Sequence, residues 1–425
     1  MPLTRRTEIR PSSSRLLLLF FTLFIAMIGF GITLPVLPFF VERLAIGEAA
    51  GEATVAFHVG ALTSAYALTQ LVAAPLWGLW SDRHGRKPLI VIGLGGFAAA
   101  QAAFGLGSSL PLLYAARLVA GIFSGALLTG SSAYVADTLP ESTRGRGMAW
   151  MGTALSLGFF VGPVLSGLLA RRDWHVRVTA EHLIFDGFSI PFFAAAGLAL
   201  ATLPFVFAAL PESLGVAGRT DKVHDRVRWT GLGRRLKDLL ALVFFSQAAL
   251  ALFEAVFALY ADRVLRFRLA EIGYAFAVCG LVMALFQGGT VGFLAGRVHS
   301  RQQITAGFGL FGMGIGLLLW VRSVAAVLVV VGLLALGVAL VTPNLLTLVA
   351  NRSGRSVGAA LGLQNTFSSV GQIAGPLAGG LLFGLQVDLP FQVTAGGALV
   401  LATGLWWLGR GASDEEAGTS SVVER

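Results

Sequence analysis

Apolar runs of bilayer length recur along nearly the whole chain, separated by short charged or Gly/Pro-rich breaks. A helix needs about 20 apolar residues to cross a hydrocarbon core, whereas a barrel strand needs only about 10 alternating ones. The runs fall at 15–40, 57–80, 88–108, 112–136, 147–170, 188–210, 239–261, 271–295, 303–321, 324–349, 357–384 and 391–409. This predicts an all-α transmembrane protein of twelve helices. Composition agrees, since 56% of the 425 residues are hydrophobic and 12% are charged, too few to clothe a soluble core of this size. The first run lies beyond Arg5, Arg6 and Arg10. It is too long for a signal-peptide core and lacks a small-residue cleavage site, so it reads as a retained span.

Basic residues set the expected orientation. With the N-terminus inside, 22 Lys and Arg residues fall on cytoplasmic segments and 8 on the opposite side. Positive charge accumulates on the cytoplasmic side of membrane proteins, so both termini are expected there. The net charge of +9 therefore reflects topology, and a nucleic-acid partner is not expected. Cys279 is the only cysteine, which rules out an intrachain disulfide and leaves no metal-ligand cluster.

The longest hydrophilic stretch divides the spans into two sets of six. The expected organisation is an N-tail at 1–14, bundles at 15–210 and 239–410, a linker at 211–238 and a C-tail at 411–425. The bundles echo one another. Span five contains "GFFVGPVLSGLL" (158–169) and span eleven "GQIAGPLAGGLL" (371–382), sharing G-x-x-x-G-P-x-x-x-G-L-L. "GLWSDRHGRK" after span two has a weaker counterpart in "GFLAGRVHSR" after span eight. Gly/Pro-interrupted helices at corresponding places in two halves point to a secondary transporter.

"GLWSDRHGRKPLI" (78–90) combines turn residues with charge. Gly78 permits close backbone approach and Gly85 a tight turn. Asp82 suits a neighbouring helix N-terminus, and Arg86 suits a carboxylate partner. The stretch resembles the signature loop of the major facilitator superfamily, matching at Gly78, Asp82, Arg83, Gly85, Arg86 and Lys87. The resemblance implies gating and packing roles, with Asp137 as the partner of Arg86. Positive-inside charge and turn chemistry are the plainer account of the same residues.

"RLVAGIFSGA" (117–126) resembles the family's span-four motif, in which the arginine is associated with proton coupling. Arg117 otherwise reads as a basic side chain snorkelling to the outer interface. "GTALSLGFFVGPVLSG" (152–167) is similar to the span-five motif of drug–proton antiporters. Gly152, Gly158, Gly162, Pro163 and Gly167 thin one helix face, suiting close packing against the opposite half or a structural kink. The chain most resembles tetracycline–proton antiporters and related twelve-span multidrug exporters, clearest from "GITLPVLPFF" (31–40) through span five. Those proteins carry membrane aspartates in spans one, three and nine. Here spans one and nine hold no acid and span three offers Gln101, which puts tetracycline as substrate in doubt.

With loop and interface acids set aside, Glu254 is the carboxylate well inside a predicted span. A charged carboxylate at mid-bilayer costs about 2.5 kcal/mol or more. A group neutral in one state and charged in another is what proton exchange requires, so Glu254 is the candidate for binding a proton or a cationic substrate. The rival is a structural hydrogen bond between helices. Gln247 and Asp262 continue the same face toward either end of the helix. Gln70, Gln101, Gln247, Gln287, Asn344, Gln364 and Asn365 are further candidates for lining a substrate cavity, or for interhelical glue.

The six histidines lie at loops or span ends, and no H-x-x-E-H, G-x-S-x-G or phosphate-binding loop occurs, so an enzyme is not expected. The expectation is a proton-coupled exporter of drug-like or amphiphilic molecules, working as a monomer in a bacterial inner membrane. It would use alternating access, with the proton gradient in place of any cofactor. A carrier of a small metabolite or lipid is the alternative.

Overall fold

A computed structural model describes residues 13–45, 51–170, 187–213, 229–293, 299–353 and 356–423. Residues 13, 45, 141–142, 229–231, 287–293 and 408–423 are described by backbone alone. Every regular element among the described residues is a helix. They are α1 (Ser13–Ala45), α2 (Glu52–His84), α3 (Arg86–Gly105), α4 (Leu110–Thr138), α5 (Glu141–Leu169) and α6 (Ile190–Ala209). After the linker come α7 (Trp229–Arg263), α8 (Leu269–Phe293), α9 (Ser300–Leu318), α10 (Val324–Arg352), α11 (Val357–Leu385) and α12 (Leu389–Val423). Eleven are long and apolar enough to cross a membrane. The other, α9, opens on the polar turn Ser300–Gln303, which dilutes a 19-residue helix. The helix α12 runs well past the expected end of span twelve. The N-tail to residue 12 and linker residues 214–228 lie outside the described residues.

Helices suit this solvent because hydrocarbon offers no partner to a backbone N–H or C=O. Hydroxyl side chains in the spans solve the same problem locally. Thr22, Thr33, Thr63 and Thr394 each donate to a carbonyl four residues earlier. Prolines interrupt α1, α2, α5, α6, α10 and α11, each removing one N–H donor from its helix.

The chain divides into two compact units. One holds Met1–Thr33, Leu68–Leu165 and Leu169–Val223; the other holds Leu34–Ala67, Ser166–Leu168 and His224–Arg425. The C-terminal part of α1 and the N-terminal half of α2 thus belong to the second unit. Within the first, α3 packs on α4 and α6 around Leu94, Phe97, Leu127 and Ala199. Within the second, α9 packs on α10 and α12 in the same way. The sequence echo is therefore matched by an echo in helix pairing.

Candidate functional site

The tightest polar cluster sits where α2 turns into α3. Arg86 begins α3 with its side chain about 10% exposed. Its Nε donates to Asp137 Oδ2 at 2.8 Å, the partner that the resemblance implied. Its Nη1 meets Asp82 Oδ1 at 2.6 Å and Ser81 Oγ at 2.9 Å. The turn itself rests on Gly85, whose φ of 109° and ψ of 162° belong to a region only glycine adopts readily. The N-terminus of α3 is capped by Glu212, which follows α6 and accepts from the backbone N–H of Arg86 at 2.8 Å and of Lys87 at 3.2 Å. Asp82 does not take that role: it sits in the last turn of α2, before the Gly85 turn, and pairs with the Arg86 guanidinium. Lys87 Nζ sits 5.2 Å over the Phe207 ring, and Arg83 is exposed. Gly78 is not a close approach, since an added Cβ would make ordinary contact with Thr129.

Of the span-five glycines expected to pack against the opposite half, Gly167 does so and the others do not. Gly158 and Gly162 of α5 lie on the carbonyls of Phe24 and Ile28 in α1, and Pro163 stands against Gly31. In the second unit Gly371 and Gly375 of α11 lie on the carbonyls of Phe244 and Ala248 in α7. Each pair spans four residues on both helices, so one motif produces one packing twice. A side chain at any of these four positions collides with backbone, which cannot give way as a rotamer can. Gly167 meets Leu269 and Ala270 at the start of α8, whereas Gly152 is exposed and faces open space. Gly152 therefore takes no part in the seam.

Most of the candidate amides prove to be helix-to-helix ties. Gln101 is 3% exposed and donates to the Gly29 carbonyl at 2.8 Å, so it lines no open space. Gln70 donates to Ser124 Oγ at 3.1 Å, joining α2 to α4. Asn344 donates to Gln303 Oε1 at 3.0 Å and to the Leu340 carbonyl, joining α10 to α9. Gln247 accepts from Gln372 at 3.2 Å, joining α7 to α11. Gln364 is buried with no hydrogen-bond partner for its Oε1 among the described residues, and Asn365 is exposed. The side chain of Gln287 lies outside the described residues. Arg117 is 4% exposed and lies 5.0 Å from the Phe104 ring centroid, so it is packed inside protein.

Glu254 is set apart from these ties. Its neighbours on the same face of α7, Leu250, Ala251, Phe257 and Ala258, are all buried and apolar. Around it, the tilted rings of Phe253 and Phe257 lie 4.9 Å apart and both approach Phe276 of α8. Among the described residues no hydrogen-bond donor or cation reaches its carboxylate. Among the described residues Glu254 makes no hydrogen bond to another helix. Glu254 is half-buried. The described residues contain no cluster of side chains suited to a metal ion.

Long apolar helices, a doubled Gly-Pro seam and a span carboxyl with no partner among the described residues define a polytopic membrane carrier. The chain belongs to the Major Facilitator Superfamily, whose model matches residues 19–356 and 239–423. It is 31% identical over 388 residues to Multidrug resistance protein 1 of Bacillus subtilis, covering 88% of this chain and 91% of that one. It is 30% identical over 355 residues to Tetracycline resistance protein, class G, of Vibrio anguillarum, covering 82% and 85%. Among solved structures, the peptide transporter POT matches with a TM-score of 0.72 at 15% identity, over 93% of this chain and 94% of that one. That match concerns the fold.

Glu212 and Gln372 were missing from the reading of the sequence. Glu212 had a signal, since "PES" directly follows span six, but its partners are backbone N–H groups of another helix.

Proposed function

We propose that this chain is a secondary active exporter, exchanging protons for drug-like or amphiphilic small molecules by alternating access. The carrying observation is Glu254, a carboxyl inside a span with no partner among the described residues. An ionised carboxylate is far costlier there than a neutral one, so occupancy by a proton or a cation changes the energy of the helix packing. The relatives named for multidrug and tetracycline resistance support the substrate class. The absence of membrane aspartates in spans one and nine argues for lipophilic compounds over tetracycline. We place both termini in the cytoplasm of a bacterial inner membrane, with six-helix halves at 15–210 and 239–410 and a monomer as the working unit. The Arg86 cluster then lies on the cytoplasmic side, where it holds α2, α3 and α4 together as a gate support.

The test is proton release on ethidium addition to proteoliposomes under an imposed pH gradient, comparing the parent with Glu254→Gln. Coupling free energies of about 1–3 kcal/mol correspond to roughly 5–150-fold effects, and the variant should lose proton-driven transport by a factor in that range. Ethidium counterflow without a gradient should persist. Unchanged proton-driven transport in Glu254→Gln would overturn the assignment.

A further inference from the structure

A second ion cluster joins three helix ends within the second unit, and no motif in the sequence announces it. Arg263 closes α7, Glu42 lies near the end of α1, and Glu52 opens α2. Arg263 Nη2 donates to Glu42 Oε1, its Nη1 lies 3.6 Å from Glu52 Oε1, and its Nε lies 3.8 Å from Asp262 Oδ2. One guanidinium therefore serves three carboxylates from three helices, with the Glu42 contact the only one at hydrogen-bond distance. Arg263 is 29% exposed, Glu42 30% and Glu52 64%, so the cluster is wet enough to part without leaving a charge in hydrocarbon.

Beside it the N-terminal half of α2 packs closely on the C-terminal half of α11. An added Cβ at Gly60 would strike the Pro376 carbonyl, and one at Gly380 the Ala56 carbonyl. Ser64 Oγ donates to the Ile373 carbonyl at 2.6 Å. This seam consists of small residues and backbone, with little side-chain area to separate. Bare backbone contact is strong in dispersion only while the fit is close, so a small tilt forfeits it. An arrangement of that kind needs something at its edge to hold the register.

We infer that Arg263 is a gating residue: it clasps the ends of α1 and α2 to the end of α7, and the α2–α11 seam opens when the clasp parts. The inference rests on the transporter reading for its purpose, but the clasp is measurable without substrate. Salt bridges of this exposure are individually weak, which suits a contact that must break in every cycle. The guanidinium's planar fork reaches two helices at once, a geometry a lysine lacks.

The experiment uses the purified full-length protein in detergent, where both faces are accessible and sidedness does not enter. Ala56 is fully buried in the seam, so Ala56→Cys reports opening through its rate of labelling by a maleimide. Cys279 is fully buried and serves as the internal control. Adding Arg263→Gln should speed labelling about three- to fivefold, the range of an exposed ion-pair cluster. Arg263→Lys should give a smaller acceleration. The exchange Glu42→Arg with Arg263→Glu should return labelling to within about twofold of the parent, while each single reversal accelerates it. Labelling of Arg263→Gln at the parent rate would overturn the clasp, as would a charge exchange no slower than its single reversals. Ethidium transport plays no part in this readout, so failure of the clasp and failure of the export reading are distinguishable.

Discussion

Arg86 and Arg263 both gather several acids, yet they are built on different terms. Arg86 has a side chain about 10% exposed, with all three side-chain partners between 2.6 and 2.9 Å. Its backbone is fixed as well, by the Glu212 cap and the Gly85 turn. Arg263 is about three times as exposed and has two of its three acids beyond hydrogen-bond distance. Among the described residues no side chain caps the backbone of Arg263 as Glu212 caps that of Arg86. Charge-assisted hydrogen bonds to a nearly buried group contribute about 1.5–3 kcal/mol, whereas exposed pairs contribute about 0–1 kcal/mol. The first cluster is an anchor and the second a clasp. The same side-chain chemistry serves permanence in one place and release in the other, and burial decides which.

The largest expected effect falls on the anchor's turn. Gly85→Ala forces a β-carbon into a backbone conformation that costs about 1–3 kcal/mol for other residues, and it collides with the Glu212 carboxylate. The expected loss is roughly 3 kcal/mol in thermal unfolding of the detergent-solubilised protein, followed by tryptophan fluorescence. A melt within experimental error of the parent would show that the α2–α3 turn can relax, and the anchor description would fail. Next comes Arg86→Gln, which leaves Asp137 unpaired and strips a bond from Ser81. It should cost about 2 kcal/mol, because Asp82 is largely exposed and contributes little. Arg263→Gln should cost less than about 1 kcal/mol in the same melt while altering the labelling of Ala56→Cys. Equal melts for the two arginine variants would erase the distinction between anchor and clasp.

Much of this was legible in the sequence, for reasons that also explain what was not. Span positions follow from length and apolarity, properties each segment carries alone. The pairing of Asp82 with Arg86 is local, since only the Gly85 turn separates the end of α2 from the start of α3. Glu42 and Arg263 stand 221 residues apart, and no local pattern connects them. Gly78 and Gly85 look alike in the motif, but only Gly85 adopts a positive φ, and that is a property of the turn. Gly152 matches the span-five motif as well as Gly158 does, yet one faces open space and the other the Phe24 carbonyl. Gln101 and Gln364 illustrate the remaining ambiguity. A lone amide in a span is equally improbable in hydrocarbon whether it ties helices or faces a cavity, so composition cannot choose.

The smallest effect is the sharpest probe of the clasp. Glu52 is 64% exposed and 3.6 Å from Arg263, against the direct hydrogen bond made by Glu42. At that separation in bulk water the Coulomb attraction is about 1 kcal/mol before screening and side-chain entropy are subtracted. The net contribution is therefore about 0.3 kcal/mol, after discounting for solvent. Glu52→Gln should accelerate labelling of Ala56→Cys by less than about twofold, and 1 M salt, where screening acts within about 3 Å, should abolish the difference. Glu42→Gln should act nearly as strongly as Arg263→Gln and keep most of its effect in salt. If the two glutamate variants behave alike, the guanidinium is shared evenly and α2 is held as firmly as α1. The clasp would then be a three-helix lock, and its release would have to free both helix ends in one step.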